Sequence, residues 1–280
     1  MKRPFTEIPD RVSSHVLHGC SGGEGDTVDV ACSTLCFARL SLDETFQAIR
    51  LMQFSKADLA IHHDGPHLTP AEVIADTTRI AQRLRAANLA FAAFHFDMKN
   101  DPGCSDLAGL HAICRLARLL AVPLVTVPAG AKETPPDLEV KRLIRCQQVA
   151  AAEGVILSLE THGETLTRTP GMAVELCQNV PGLGLTLDPS HYHISPEGPI
   201  EFDAVYPYVC HVRLRDSGAA AEQFQVRIGQ GEIEYGRILN QLERYHYDRA
   251  LTVDVRDVPD NPFPVEPEVR KLKYLLESLI

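Results

Sequence analysis

Four short apolar runs in the second half of the chain each end in an ionisable side chain: Val155 to Leu159 before Glu160, Leu183 to Leu187 before Asp188, Tyr208 to Val212 before Arg213, and Leu251 to Val253 before Asp254. Near-continuous apolar runs mark strands buried on both faces of a parallel sheet. In a closed ring of such strands the chemistry sits where the strands finish, so side chains placed there converge on one pocket. Three carboxylates in one mouth require a cation. The sequence offers two kinds, a bound metal ion or Arg213.

The chain of 280 residues is long enough for one large core, and α/β barrels of this length are routinely a single domain. The formal net charge is −10 with His neutral, and the 27 Lys and Arg are spread along the chain. A nucleic-acid partner normally calls for a basic stripe, so none is expected. No apolar stretch approaches the roughly 18 to 20 residues that span a bilayer, so no membrane partner is expected. Residues 1–27 carry Lys2 and Arg3 but no apolar core of a secretory signal, so the expected location is cytoplasmic. The eight cysteines, Cys20, Cys32, Cys36, Cys104, Cys114, Cys146, Cys177 and Cys210, form no CxxC pair and lie mostly in apolar segments. They read as buried reduced thiols, with Cys32 and Cys36 as a redox or metal pair being the alternative.

After Ser21 to Gly25 the chain alternates strand-like and helix-like segments, the pattern of βαβ units. Val28 to Cys32 reads as the first strand and Leu42 to Phe54 as a helix, with Ser41 and Glu44 at capping-box spacing. Ala57 to His62 is a second strand, and Pro70 to Asn88 a single helix capped by Thr69 with Pro at its first position. Ala90 to Phe96, Leu107 to Leu120, Leu124 to Val127 and Asp137 to Glu153 continue the alternation, with Gly154 closing the last helix in a left-handed conformation. Then follow Val155 to Leu159, Pro170 to Gln178, Leu183 to Leu187, a short helical segment near Phe202 to Tyr206, Val209 to Leu214, Tyr235 to Tyr245, Leu251 to Val255 and Pro267 to Leu279. The expected fold is α/β, a single (β/α)8 barrel over 28–280 with a short N-terminal extension over 1–27.

An acid and an imidazole occupy one tight turn in Asp188-Pro189-Ser190-His191, and Glu160 stands in Leu-Glu-Thr-His. Carboxylate oxygen and imidazole nitrogen suit Mg, Mn or Zn, which acidify bound water or polarise a substrate oxygen. Each acid alone also reads as a salt-bridged strand end. His62, His63 and His67 surround Asp64-Gly65 after the second strand, and His95 closes the third. Singly these are surface or mouth histidines. His95, His162 and His191 together suggest a polar pocket for a hydroxylated ligand. Arg215-Asp216 reads first as a local salt bridge, and otherwise as a clamp for a substrate phosphate or carboxylate. Gly229 to Gly231 lacks the strand-turn-helix context of a nucleotide loop, so no nucleotide cofactor is expected.

These motifs carry a resemblance. Cys32-Ser33-Thr34-Leu35-Cys36-Phe37 with Ser41-Leu42-Asp43-Glu44, Leu159-Glu160-Thr161-His162, Leu187-Asp188-Pro189-Ser190-His191, His211-Val212-Arg213-Leu214-Arg215-Asp216 and Gly229-Gln230-Gly231-Glu232-Ile233-Glu234-Tyr235 are similar to the xylose isomerase-like TIM barrels, the sugar phosphate isomerase/epimerase superfamily that also includes endonuclease IV. The resemblance implies a divalent metal held by residues after the fifth to eighth strands, and two glutamates that move a proton at a carbon next to a carbonyl. Glu160 is then first ligand and acid/base, Asp188 the second ligand, and His191 a substrate-binding imidazole. The family's strand-seven motif reads His-x-His, whereas this chain has His211-Val212-Arg213. Arg has no lone pair to give, so Arg213 is no metal ligand. His211, on the same face one layer deeper, ligates only if the ion sinks into the barrel. Asp254 replaces the last Glu, one methylene shorter.

The expectation that follows is an isomerase or epimerase of a small sugar or sugar-like keto compound. Its catalytic residues are Glu160 and Asp254, and its substrate contacts are His95, His162, His191, Arg213 and Arg215, with Arg213 stabilising a developing enolate. Any divalent metal, Mn, Mg or Zn, falls to Glu160, Asp188, Asp254 and His211. The alternatives are a metal-free, ligand-binding barrel in which Arg213 ties the acids together, and a lyase or dehydratase. The resemblance also allows a homodimer. Endonuclease activity is disfavoured by the missing basic face and histidine set.

Overall fold

The computed structural model describes residues 28–99, 106–195 and 198–280. The N-terminal extension, Ser21 to Gly25, Cys20 and Cys104 therefore lie outside the described residues. Eight parallel strands close into a ring: β1 (Val30–Ser33), β2 (Lys56–Ile61), β3 (Ala90–Phe96), β4 (Leu124–Pro128), β5 (Ile156–Glu160), β6 (Gly184–Leu187), β7 (Val209–Leu214) and β8 (Leu251–Val253), each paired with the next and β8 with β1. Sequence order equals spatial order, as a right-handed βα alternation produces.

Helices connect the strands on the outside: α1 (Leu42–Leu51), α2 (Pro70–Ala75), α3 (Thr77–Ala86), α4 (Asp106–Leu119), α5 (Pro136–Ala152), α6 (Pro170–Asn179), α7 (Ser190–His193), α8 (Tyr235–Arg244) and α9 (Val265–Glu277). Ser41 and Thr69 each form the reciprocal capping box, with Glu44 and Glu72, which satisfies two orphan amides per helix start. Gly154 has φ +70° beyond α5, where a side chain would be strained. The helix expected over Pro70 to Asn88 is two helices. The chain breaks at Asp76, which leaves helical geometry (φ −157°, ψ 79°) and caps α3 by accepting from the Arg79 amide at 2.9 Å. A favourable N-cap residue outweighed the helical periodicity on either side of it. The segment near Phe202 is a short 3-10 turn, Asp203–Tyr208, which contains Pro207.

Along each strand one face meets the helices and the other the barrel lumen. Val212 and Leu214 of β7 join the outer apolar core, so His211, Arg213 and Arg215 point inward in successive layers. Two register shifts set this up. Between β2 and β3 the pairing skips a residue at Ala57/Asp58, and between β6 and β7 at Leu185/Thr186. Such bulges re-aim side chains and are common beside functional sites. Here they flank Asp58 on one side of the lumen and His211 and Arg213 on the other. The lumen floor is polar but bonded: the Thr186 hydroxyl lies 2.8 Å from that of Thr126 and 2.7 Å from that of Ser158.

Cys32, Cys36, Cys114, Cys146, Cys177 and Cys210 are buried and take part in no disulfide among the described residues, and burial pushes the Cys114 and Cys177 thiols up to about 12. In native buffer, Ellman's reagent should therefore titrate within minutes no more than the two remaining thiols, and all eight in denaturant. Three or more fast thiols in the native protein would contradict this packing.

Candidate active site at the barrel mouth

The four acids and three guanidinium groups of the lumen form one connected cluster. At its base, Asp58 in β2 accepts from Arg213 Nε and Nη2 at 2.9 Å each, a bidentate pair. His211 Nε2 lies 2.9 Å from the same carboxylate and 3.3 Å from the Thr252 hydroxyl. Arg213 then reaches upward, its Nη1 donating to Glu160 Oε1 at 3.4 Å. The remaining Glu160 oxygen faces His95 Nε2 at 3.4 Å.

A second tier sits above. Arg215 Nη2 bridges Asp188 Oδ2 at 2.9 Å and Asp254 Oδ2, and its Nε donates to the Asp254 carbonyl at 3.1 Å. Arg256 closes the ring, with Nε 3.2 Å from Asp254 Oδ2 and Nη2 3.7 Å from Glu160 Oε1. The guanidinium of Arg215 packs 4.6 Å from the Phe224 ring, which in turn lies 4.7 Å from His191. His191 stacks on His162 at 4.1 Å, and its Nδ1 accepts from the Gly163 amide at 3.3 Å.

Of the expected residues, Glu160, Asp188, Asp254, His95, His162, His191, Arg213 and Arg215 gather here, whereas His211 does not, and the two arginines have partners other than those expected. Arg215 does not pair with Asp216. It is buried against Asp188 and Asp254, while Asp216 accepts from the Gly229 and Gly231 amides at 2.7 and 3.1 Å and anchors that loop. Arg213 donates to Asp58 and Glu160 and so clamps the two carboxylates together. His211 lies on the floor with its Nε2 committed to Asp58, apart from Glu160, Asp188 and Asp254. The sequence reading missed Asp58 and Arg256, and it named His62 only as a surface or mouth histidine, outside the pocket set of His95, His162 and His191. Asp58 was legible as the one charge inside the apolar run Ala57 to Ile61, and Arg256 as the residue two beyond Asp254 and hence on its face.

The cluster fixes its own charges. Burial alone would raise the Glu160 carboxyl, but His95, Arg213 and Arg256 outweigh it and hold the group well below the usual carboxylate range. Burial likewise acts to raise Asp254 and Asp58, and the surrounding cations bring both below their ordinary values, Arg256 and Arg215 being foremost at Asp254 and Arg213 at Asp58. Arg213 and Arg256 are correspondingly raised by these carboxylates against the opposing effect of burial. Burial pushes His62 down to about 2 and His191 down to about 4, so both are neutral near pH 7 and supply no positive charge.

Several buried polar atoms lack a hydrogen bond among the described residues: Arg215 Nη1, Asp254 Oδ1, His191 Nε2, and Asp188 Oδ2, whose close contact with Arg215 lacks hydrogen-bond geometry. This set mixes two donors, Arg215 Nη1 and the Nε2–H that neutral His191 carries while its Nδ1 accepts, with two carboxylate acceptors. A hydroxyl or a water satisfies both kinds, whereas a cation suits only the acceptors and is repelled by the guanidinium beside them. Among the described residues no group of three His, Cys, Asp or Glu side chains converges as a metal cage. The donor set therefore does not fit a resident divalent ion.

The buried groups set an acid limit to stability. His62 and His191 are neutral in the native state and take up protons once unfolded, so stability falls as pH drops through their ordinary value of 6.5. At about 1.4 kcal/mol per pH unit, the interval from 6.5 to about 4 corresponds to about 3 kcal/mol for His191. The depressed Asp58, Glu160 and Asp254 add stability that is present above their unfolded values and is lost at still lower pH. The melting temperature should be level above pH 7, decline from about pH 6.5 and fall steeply below about pH 4.5. A level melting temperature between pH 7 and 5 would contradict this burial.

Comparison with known proteins agrees with this architecture. The profile of the family described as xylose isomerase-like TIM barrel matches residues 46–276. A search of curated proteins finds no match. Among solved structures, a xylose isomerase-like TIM barrel protein from Mycobacterium smegmatis in complex with magnesium is similar at TM-score 0.70 and 18% identity, covering 91% of this chain and 98% of that one. A D-tagatose 3-epimerase-like protein has TM-score 0.69 and 18% identity, covering 90% and 98%. A D-allulose 3-epimerase from Methylomonas sp. in complex with D-allulose has TM-score 0.69 and 15% identity, covering 90% and 97%. At such identities the likeness is one of fold. With the family profile matching most of the closed ring of strands and its helices, this chain belongs to the xylose isomerase-like TIM barrel family.

Proposed function

We propose that the protein is an isomerase or epimerase of a small sugar or sugar-like keto compound, acting by proton transfer next to a carbonyl, with arginine side chains in place of a divalent cation. The observation that carries this reading is the setting of Glu160: an ionised carboxylate at the mouth, held between His95 on one oxygen and Arg213 and Arg256 on the other. It is ready to accept a proton, although its depressed pKa makes it a weak base. Arg215 Nη1 supplies the uncommitted donor for a developing enolate oxygen, the role expected of Arg213. Asp254, with two guanidinium groups on one oxygen, is assigned to a substrate hydroxyl through its free Oδ1, together with Asp188 and His191. His162 and Phe224 form a wall for the carbon skeleton. The folds shared with a D-tagatose 3-epimerase-like protein and a D-allulose 3-epimerase support ketoses as first substrates to try.

A second reading has a specific observation behind it. The Arg213 clamp on Asp58 is buried and bidentate, as befits a structural ion cluster in a barrel that binds a ligand without transforming it. Incubation with D-tagatose or D-allulose in heavy water with EDTA separates the two. The enzyme reading predicts deuterium at the carbon next to the carbonyl, by mass spectrometry, at a rate reduced about 100-fold or more in Glu160→Gln. Binding seen as a thermal shift without exchange would leave only the second reading, and exchange that requires an added divalent ion would overturn the metal-independent one.

A further inference from the structure

The Glu160 carboxylate is almost fully buried, yet a path of side chains connects it to the half-buried rim of the mouth. Glu160 Oε2 lies 3.4 Å from His95 Nε2, and the other nitrogen of that ring, Nδ1, lies 3.1 Å from His62 Nε2. The two rings meet edge to face, centroids 4.7 Å apart, with the facing nitrogens in hydrogen-bond contact. His95 is nearly enclosed in β3, whereas His62 follows β2 and is partly open to solvent.

We propose that His62 and His95 form a proton wire that exchanges the proton of Glu160 with water. The inference rests on Glu160 being the acid/base of the mouth, and it adds where that proton goes. A proton taken by Glu160 passes to His95 Nε2 as the Nδ1 proton of His95 passes to His62 Nε2 and the Nδ1 proton of His62 leaves to water. The reverse sequence delivers one. Each ring gains and loses one proton, so no charge remains on either. A wire of this kind requires rings that carry one N–H and one lone pair. Burial keeps His62 neutral, which meets that condition at the solvent end of the path. The neighbouring His63 is not part of the path: its two ring nitrogens face Asp97 at 3.0 Å and Asp106 at 3.3 Å.

The test uses the full chain, 15N-labelled, with no substrate. The exchange rate of the His95 ring N–H with water is measured by saturation transfer in long-range imidazole spectra. His62→Phe should slow that exchange at least tenfold, and His62→Asn, which keeps polarity but cannot relay a proton through a ring, should do the same. His63→Phe should leave it unchanged. A merely loosened structure would speed exchange instead. Unchanged or faster exchange in the folded His62 variants overturns the wire, whatever the outcome of the deuterium experiment. A slowed rate alongside absent deuterium incorporation keeps the wire and removes the catalytic reading of Glu160.

Discussion

The interaction on which the rest of the mouth depends is the buried pair of Asp58 and Arg213. Both side chains are essentially without solvent, so each would carry a penalty of several kcal/mol if left alone. Two parallel hydrogen bonds of 2.9 Å, with His211 supporting the same carboxylate, make the pairing tolerable. The backbone is arranged for it. Each partner strand carries a register shift next to the pair, one at Ala57/Asp58 and one at Leu185/Thr186, so that an acid in β2 and a base in β7 meet across the lumen.

From that anchor the charges alternate outward. Arg213 hands one donor to Glu160, Arg256 joins Glu160 to Asp254, and Arg215 joins Asp254 to Asp188. The four acids and three guanidinium groups leave a net charge of about one negative with the histidines neutral. A divalent ion would overshoot that charge. The result is a preorganised polar mouth in which carboxylates stay ionised and one guanidinium nitrogen, Arg215 Nη1, stays uncommitted.

Much of this was legible in the amino-acid order because a parallel barrel writes its pattern plainly: apolar run, polar strand end, helix with its cap. Glu160, Asp188, Arg213 and Asp254 could be placed in one mouth from that pattern alone, and the structure brings them there. What the pattern hides is pairing across the lumen. Asp58 looks like an interruption of a strand until Arg213 is found opposite it, and the register shifts that aim the two leave no local signature. Arg215 was read with its neighbour Asp216 because sequence shows adjacency, whereas strand alternation turns consecutive residues to opposite faces. Asp76 shows the same limit in a helix, where one capping side chain outweighed an otherwise continuous period.

The claim that guanidinium groups stand where a cation would be is tested most directly by elemental analysis of protein purified without chelator, wild type beside Arg213→His. The account predicts far less than one equivalent of Mg, Mn or Zn per wild-type chain, and an increase only in the variant, which trades the fixed positive charge for a ligating nitrogen. A full equivalent retained by the wild-type protein, and lost with Glu160→Gln, would contradict it.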